Sequence, residues 1–188
     1  MLIESQMEAL GLLGVTERIE AVANPNGHLG CTRSHIKALQ YAYEHANWGW
    51  VAILEDDFDW TGAPEAVNAS LERVMSQTPS FDVFLLAFSC PDEPPVLDEH
   101  TQLYQVSKAH TTAGYIIRRE FIPVLLRVFQ RGECAMRYGG SSMVYTVDQS
   151  WVPLQRSSRR FFTTVPALGH QRSDFSDIEQ QFYVDRGC

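Results

Sequence analysis

The stretch WVAILEDD, residues 50–57, decides the fold class of this chain. Its first five residues form a continuous apolar run of strand length, which is typical of a strand covered on both faces. Three carboxylates follow at once, at Glu55, Asp56 and Asp57. Ligands of open α/β sheets bind beyond the carboxyl ends of the strands, so this pattern places the acids in the expected binding crevice.

Helical and strand patterns alternate on both sides of this stretch. Apolar periodicity predicts helices over residues 2–13 and 29–46, from Pro64 onward, from Phe121 onward and around Trp151. Strands are predicted at 18–23, 50–54, 81–88, 101–106, 112–117 and 161–165, and surface loops at 89–100 and 131–142. No linker or internal repeat divides the chain. We therefore expect one α/β domain over residues 1–188, with a mostly parallel central sheet flanked by helices.

Composition narrows the possible partners and the cellular location. With 15 basic and 23 acidic residues the formal net charge is -8, which argues against a general nucleic-acid binder. No apolar run approaches the roughly 20 residues that span a bilayer, and the amino terminus lacks the pattern of a signal peptide. We expect a cytoplasmic protein without a transmembrane segment. The four scattered cysteines are expected to be reduced thiols that mostly pack in the interior.

Three adjacent carboxylates repel one another unless a cation compensates them. Oxygen ligands favour hard divalent ions such as Mn²⁺ or Mg²⁺, which can also bind a substrate diphosphate. An acidic loop that caps a helix, or a solvated turn, explains the triplet equally well. A metal-dependent phosphohydrolase also fits the triplet alone.

Three other clusters of residues help to decide between a metal site and these alternatives. Residues 27–35, GHLGCTRSH, lead into a predicted helix, where glycine permits close backbone approach and a helix amino terminus favours anions. Residues 111–115, TTAGY, bring small and hydroxyl-bearing side chains to the start of a strand. Asp148 and Gln149 precede the predicted helix at Trp151.

Taken together, these motifs resemble glycosyltransferase family 25, the group of lipooligosaccharide (lipopolysaccharide biosynthesis) galactosyltransferases and collagen galactosyltransferase domains. The resemblance extends over about residues 17–178. Its motifs are, in order, Gly30-Cys31-x-x-Ser34-His35, Ile53-Leu54-Glu55-Asp56-Asp57, Thr112-Ala113-Gly114-Tyr115, Asp148-Gln149 and Ser176-Asp177-Ile178.

The resemblance implies a GT-A type fold and an inverting transfer of galactose or glucose from a UDP-sugar, with Mn²⁺ or Mg²⁺ as cofactor. The acceptor would be a hydroxyl of a glycan or of a glycosylated or hydroxylated protein. The metal ligands implied are Asp57 and Glu55, with His170 as a further candidate, although the sequence favours a surface histidine at that position. The residues implied at the donor are Gly30, Ser34, His35, Glu55, Asp56 and Thr112.

Inverting transfer also requires a base that deprotonates the acceptor hydroxyl. Asp148 matches an acidic position of the family and is the candidate for this role. Its alternative is a structural one, because aspartate is a favoured N-cap for a helix such as the one predicted at Trp151.

One feature departs from the family pattern. Members begin with a strand of the type Ile-Asn-Leu-Asp-Arg beneath the nucleotide, and no such segment precedes the first predicted helix here. The alternative function is therefore a catalytically inactive glycosyltransferase fold with a sugar-binding, structural or assembly role.

Overall fold

The apolar run at residues 50–54 forms a strand, β1 (Trp50–Leu54), as predicted. It belongs to a computed structural model that describes residues 3–77, 81–90, 92–158, 160–172, 175–176 and 181–182. The closing motif at residues 176–178 lies at the margin of these ranges, and its last two residues are outside them.

Helices and strands alternate along the described chain. The helices are α1 (Ile3–Ala9), α2 (Gly27–Glu44), α3 (Pro64–Ser76), α4 (Ile122–Arg137), α5 (Ser142–Tyr145), α6 (Val147–Ser150) and α7 (Val152–Ser158). The remaining strands are β2 (Phe58–Trp60), β3 (Val83–Leu85), β4 (Val96–Asp98), β5 (Leu103–Gln105), β6 (Gly114–Arg118), β7 (Phe161–Thr163), β8 (Gly169–Gln171), β9 (Phe175–Ser176) and β10 (Gln181–Phe182).

Six strands form a mixed sheet in the order β1-β6-β3-β7-β5-β4. Among its pairs only β3 and β7 are parallel, and the other four are antiparallel. The chain is thus α/β with helices against the sheet, but the prediction of a mostly parallel sheet is wrong. The reason is β6, which inserts between β1 and β3 and runs opposite to both.

Two apolar layers pack on the two faces of the sheet. Alternate residues of β3 point to opposite faces, so Val83 and Leu85 pack in one cluster and Phe84 in the other. The first cluster contains residues of α2 and α4 together with the fully buried Trp151. The second contains Phe58 and residues of α3. Burial of large side chains on both faces fixes β3 as the centre of the fold.

β1 occupies an edge of this sheet. In the part of the chain that the structure describes, β1 pairs with β6 alone. Its residues are half-buried except for Ala52, which is exposed, whereas every residue of β3 is buried. Val51 and Ile53 pack against one apolar cluster and Trp50 and Leu54 against the other, so both faces of β1 are covered as expected, but only to half burial. Because edge strands leave backbone groups unpaired, its outer side keeps hydrogen-bonding capacity.

Other differences concern the loops and short strands. Residues 18–23 form no strand, and α4 continues to Arg137, into the predicted loop at 131–142. The predicted loop at 89–100 contains β4. Strands β2 and β8 form a separate antiparallel pair that the pattern did not predict.

Cys31 and Cys134 are free thiols, as expected. Cys90 is disulfide-bonded, so the prediction of reduced cysteines is wrong at that position. Among the described helices, none has the length and apolar character required to cross a bilayer.

Candidate active site

The end of β1 meets the start of β6 and the middle of α2. Leu54 lies opposite Gly114 in the β1–β6 register, and the Glu55 amide donates to the Ala113 carbonyl at 2.8 Å. This register places the residue before Ala113, Thr112, next to Glu55. A side chain added at Gly114 would approach the Phe58 ring to 2.5 Å, so glycine permits this close packing directly behind the acidic triplet.

Glu55 is held by two donors on one oxygen. His35 Nε2 lies 3.0 Å from Oε1, and the Thr112 hydroxyl donates to the same atom at 2.8 Å. Burial by itself would raise the pKa of Glu55. The hydrogen bond from His35, its charge and the hydrogen bond from Thr112 outweigh burial and lower this pKa below its ordinary value. Glu55 is therefore ionised at neutral pH. No described side chain hydrogen-bonds Oε2, which leaves that oxygen available.

Tyr115 completes this hydrogen-bonded chain from behind. Its hydroxyl lies 3.2 Å from His35 Nδ1, and the two rings stack at 5.9 Å. Burial, with the charge of Glu55, raises the pKa of Tyr115 well above its ordinary value, so the hydroxyl stays protonated. When this hydroxyl donates to Nδ1, the Nε2–H of His35 points to Glu55.

Asp57 differs from Glu55 in that its unpaired oxygen is buried. Its Oδ2 accepts from Gln171 Nε2 at 2.8 Å, while Oδ1 is buried and has no partner in the described structure. Burial, and next the charge of Glu55, raise the pKa of Asp57 from 3.8 to about 6. A buried oxygen without a donor is costly, so Oδ1 is a position where a bound cation would be favourable.

The orientation of Gln171 is fixed by a strained neighbour. Thr111 has a φ of 67°, which is unusual for a β-branched residue. Its hydroxyl donates to Gln171 Oε1 at 2.9 Å, so the opposite end of that amide, Nε2, faces Asp57. Neither Thr111 nor Gln171 was assigned a role from the sequence. The signal was nevertheless present, because Thr111 adjoins Thr112 and Gln171 adjoins His170.

Asp56 lies apart from this cluster. Its side chain is exposed, and its backbone carbonyl accepts from Arg172 Nη2 at 2.9 Å. The Arg172 amide donates to the Asp57 carbonyl at 2.8 Å. The turn between β1 and β2 is therefore anchored through its backbone. Of the three adjacent acids, Glu55 and Asp57 turn inward and Asp56 turns out.

Asp148 lies inside α6, where Thr146 and Gln149 contact its carboxylate at 2.7 and 3.4 Å. Gln149 Nε2 also lies 3.1 Å from His110 Nδ1. The N-cap of α6 is Thr146, and α7 begins only at Val152, so the alternative of an N-cap at Asp148 is wrong.

The pKa of the Cys31 thiol is affected by three of these carboxylates. Its pKa is raised well above the ordinary value by burial and then by the charges of Glu55, Asp148 and Asp57, in that order. The charges of all three carboxylates therefore act on this thiol. Ligand atoms of Cys31, His35 and Glu55 also lie within 4.8 Å of one another, a set whose chemistry suits zinc.

Gly30 and Ser34 serve the packing of α2. A side chain at Gly30 would approach the Val22 carbonyl to 2.9 Å, and the Ser34 hydroxyl accepts from the Val22 amide at 2.8 Å and donates to the Gly30 carbonyl at 2.9 Å. Both residues thus hold the extended segment around Val22 against the helix. None of these contacts requires a ligand.

His170 is not brought to the acidic residues by a hydrogen bond. Its Nδ1 lies 3.3 Å from the Thr61 hydroxyl, while the adjacent Gln171 bonds Asp57. Neighbouring residues of a strand point to opposite sides, which explains the separation.

Comparison with known proteins adds no assignment. No protein-family model matches the chain, and a search of curated proteins found no match. The function therefore has to be argued from the site itself.

Proposed function

We propose that this protein is a metal-dependent inverting glycosyltransferase of family 25 with a GT-A type fold. It would transfer galactose or glucose from a UDP-sugar to a hydroxyl of a glycan or protein. The observation that carries the proposal is the buried Asp57 Oδ1, which has no partner in the described structure. It lies beside a second ionised carboxylate, Glu55, at the end of a strand, where α/β sheets bind ligands.

The residues present fit a hard divalent cation. Asp57 Oδ1 and Glu55 Oε2 are the oxygens that would hold Mn²⁺ or Mg²⁺, since each carboxylate uses its other oxygen for a protein donor. Such an ion neutralises the charge that develops on a departing diphosphate. We assign no ligand role to His170, whose hydrogen bond is to Thr61.

His35 and Thr112 act on Glu55 from the side opposite Oε2. Their two bonds to Oε1 keep the carboxylate ionised and hold it in one orientation. Gln171 does the same for Asp57 through Oδ2. Pre-positioned ligands of this kind reduce the reorganisation that metal binding requires.

Asp148 is the base in this proposal. The acceptor oxygen would form a bond to the anomeric carbon as the bond from that carbon to the diphosphate breaks, and the acceptor proton would pass to the Asp148 carboxylate. Thr146 and Gln149 hold this carboxylate in place. α6, which carries Asp148, packs against α2, the helix that carries His35, and this packing supports a shared site.

The edge position of β1 favours a second candidate. In the family that the sequence resembles, a further strand lies beneath the nucleotide, whereas β1 here has one strand neighbour in the described part of the sheet. A site without that support would bind nucleotide weakly. The second candidate is thus a catalytically inactive glycosyltransferase fold that binds sugar or serves in assembly.

The decisive experiment measures UDP release from a panel of UDP-sugars with Mn²⁺, beside calorimetry of UDP binding with and without the metal. We expect Asp57→Asn to lose metal-dependent UDP binding and at least about a hundredfold in turnover. Asp148→Asn should lose turnover but retain UDP binding. Glu72→Gln, an exposed α3 carboxylate, is the matched control and should match the wild type.

The two candidates give different results in this experiment. Absence of UDP release together with absence of metal-dependent UDP binding would overturn the enzymatic proposal. Glycan binding that persists under those conditions would support the non-catalytic function.

A further inference from the structure

A cavity lies beside the β2–β8 pair, where the Thr61 amide donates to the Leu168 carbonyl. It has a volume of about 200 Å³ and is bounded by α3 and by residues 164–168, the connection between β7 and β8. Its four polar lining side chains are Thr61, Ser70, Arg73 and Thr164. Thr61 follows β2 and Asp57 precedes it, so the cavity is roughly 13 Å from the acidic residues, at about 3.3 Å per residue.

The lining of this cavity offers hydrogen-bond donors and contains no acidic residue. Each of its four polar side chains can donate a hydrogen bond, and none of the ten lining residues is acidic. This is unusual in a chain with 23 acidic residues. In the described structure no carboxylate forms an ion pair with Arg73, so its guanidinium remains available to a ligand.

Thr164 provides an independent sign of a ligand. Its side chain is buried, with 6% exposure, and the Oγ1 atom has no hydrogen-bond partner in the described structure. Buried hydroxyls are almost always paired, and an unpaired one is energetically unfavourable. A ligand in the cavity would supply the missing partner.

The first turn of α3 borders the same cavity through Ala66 and Val67. The amides of both residues donate to the Ala63 carbonyl, at 3.0 and 3.1 Å, and Glu65 lies in the same turn, so the donors for a ligand are the side chains and not this helix terminus. Val67 and Leu168 supply apolar walls of the kind that exclude water from a polar contact.

We propose that this cavity binds a phosphate group through the Arg73 guanidinium and the hydroxyls of Thr164, Ser70 and Thr61. A tetrahedral oxyanion accepts several hydrogen bonds at once, which matches a lining made of donors. The group could be free phosphate or a phosphate carried by a sugar. The site is separate from the metal site, so its occupation does not depend on the glycosyltransferase proposal.

Calorimetry and amide chemical-shift titration test this, in low-chloride buffer with EDTA so that no divalent ion is present. The probes are inorganic phosphate, glucose 6-phosphate and neutral glucose. We expect both phosphates to bind with a dissociation constant on the order of millimolar, with shifts around Val67 and Leu168, and glucose not to bind. Tighter binding of glucose 6-phosphate than of inorganic phosphate would identify a sugar phosphate as the preferred source.

Two variants separate recognition from structure. Arg73→Gln should weaken phosphate binding about tenfold, the loss of one charge-assisted contact, while Arg127→Gln, at an exposed arginine of α4, should leave it unchanged. Thr164→Val removes an unpaired buried hydroxyl, so it should raise the melting temperature and weaken phosphate binding together. Phosphate binding that neither Arg73→Gln nor Thr164→Val alters, or equal binding of glucose, would overturn the proposal.

Discussion

Asp57 and Asp82 both place a carboxylate in the interior beside the sheet, and they differ in what neutralises it. Asp82, just before β3, is 4% exposed and forms ion pairs with Arg118 and with Arg160, the latter at 2.9 Å. Asp57, just after β1, has an amide on one oxygen and no described partner on the other. Arginines thus neutralise Asp82, whereas no ion pair to Asp57 is found among the residues that the structure describes.

This contrast separates a structural carboxylate from a binding one. Burial of a charge is costly unless a partner compensates it, and arginines perform that task at Asp82. At Asp57 the cost persists as a pKa raised to about 6. Removing the charge should therefore have opposite effects on stability at the two positions.

The largest effect is expected at Asp82. Asp82→Asn leaves Arg118 and Arg160 without their shared carboxylate, and we expect a loss of about 2–3 kcal/mol in the free energy of unfolding. The estimate is below that of a fully buried pair because the arginine side chains are 32% and 39% exposed. Urea denaturation at pH 7.5 measures it, with the exposed Glu72→Gln as control. A stability equal to the wild type would show that the ion pairs contribute nothing.

The next prediction compares how much Mn²⁺ stabilises the wild type and the variants at Asp82 and Asp57. At a hundredfold excess over its dissociation constant, Mn²⁺ should stabilise the wild type by about 2.7 kcal/mol through mass action. Asp82→Asn should gain the same increment, since its site is remote from the metal ligands. Asp57→Asn should gain little. Thermal unfolding with and without Mn²⁺ tests this, and an equal gain in Asp57→Asn would place the metal elsewhere.

Without metal, Asp57→Asn should stabilise the protein. Because the folded pKa of about 6 exceeds the ordinary 3.8, the folded state holds more protons between these values. Stability of the wild type therefore falls as the pH rises through this window and stays low above it. Asparagine avoids the cost, so we expect a gain of about 1–2 kcal/mol above pH 7, discounted for partial exposure.

The measurement is urea denaturation of metal-free protein from pH 5 to pH 8. The gain from Asp57→Asn should grow up to about pH 7 and then level off. A pH-independent gain, or a loss at pH 8, would show that Asp57 is already compensated within the chain.

Much of this site was predictable because its parts are local. Trp50–Leu54 is a strand as predicted, and Glu55, the first acid after it, contacts His35 and Thr112. Apolar runs and strand ends are encoded in consecutive residues, so sequence patterns detect them.

The pairing of the strands was not predictable in the same way. The position of β6 between β1 and β3 depends on contacts between residues more than 30 positions apart, such as Ile53 with Tyr115. Periodicity shows no direction of pairing, so the sheet was predicted as mostly parallel. The same limit applies to Gln171, which reaches Asp57 only because β8 pairs with β2.

The smallest predicted effect tests this missed contact. The hydrogen bond from Gln171 lowers the pKa of Asp57 against the larger effect of burial, so Gln171→Met should raise that pKa further above 6, by less than one unit, about 1 kcal/mol. Metal binding, which needs the ionised carboxylate, should then require a higher pH. A carboxyl-carbon NMR titration of Asp57 measures the shift. Gln149→Met, which alters the amide beside Asp148, is the matched control and should leave the Asp57 midpoint in place. A midpoint that Gln171→Met leaves unchanged would show that the amide does not position this carboxylate, and the Thr111 strain would then have no part in the site.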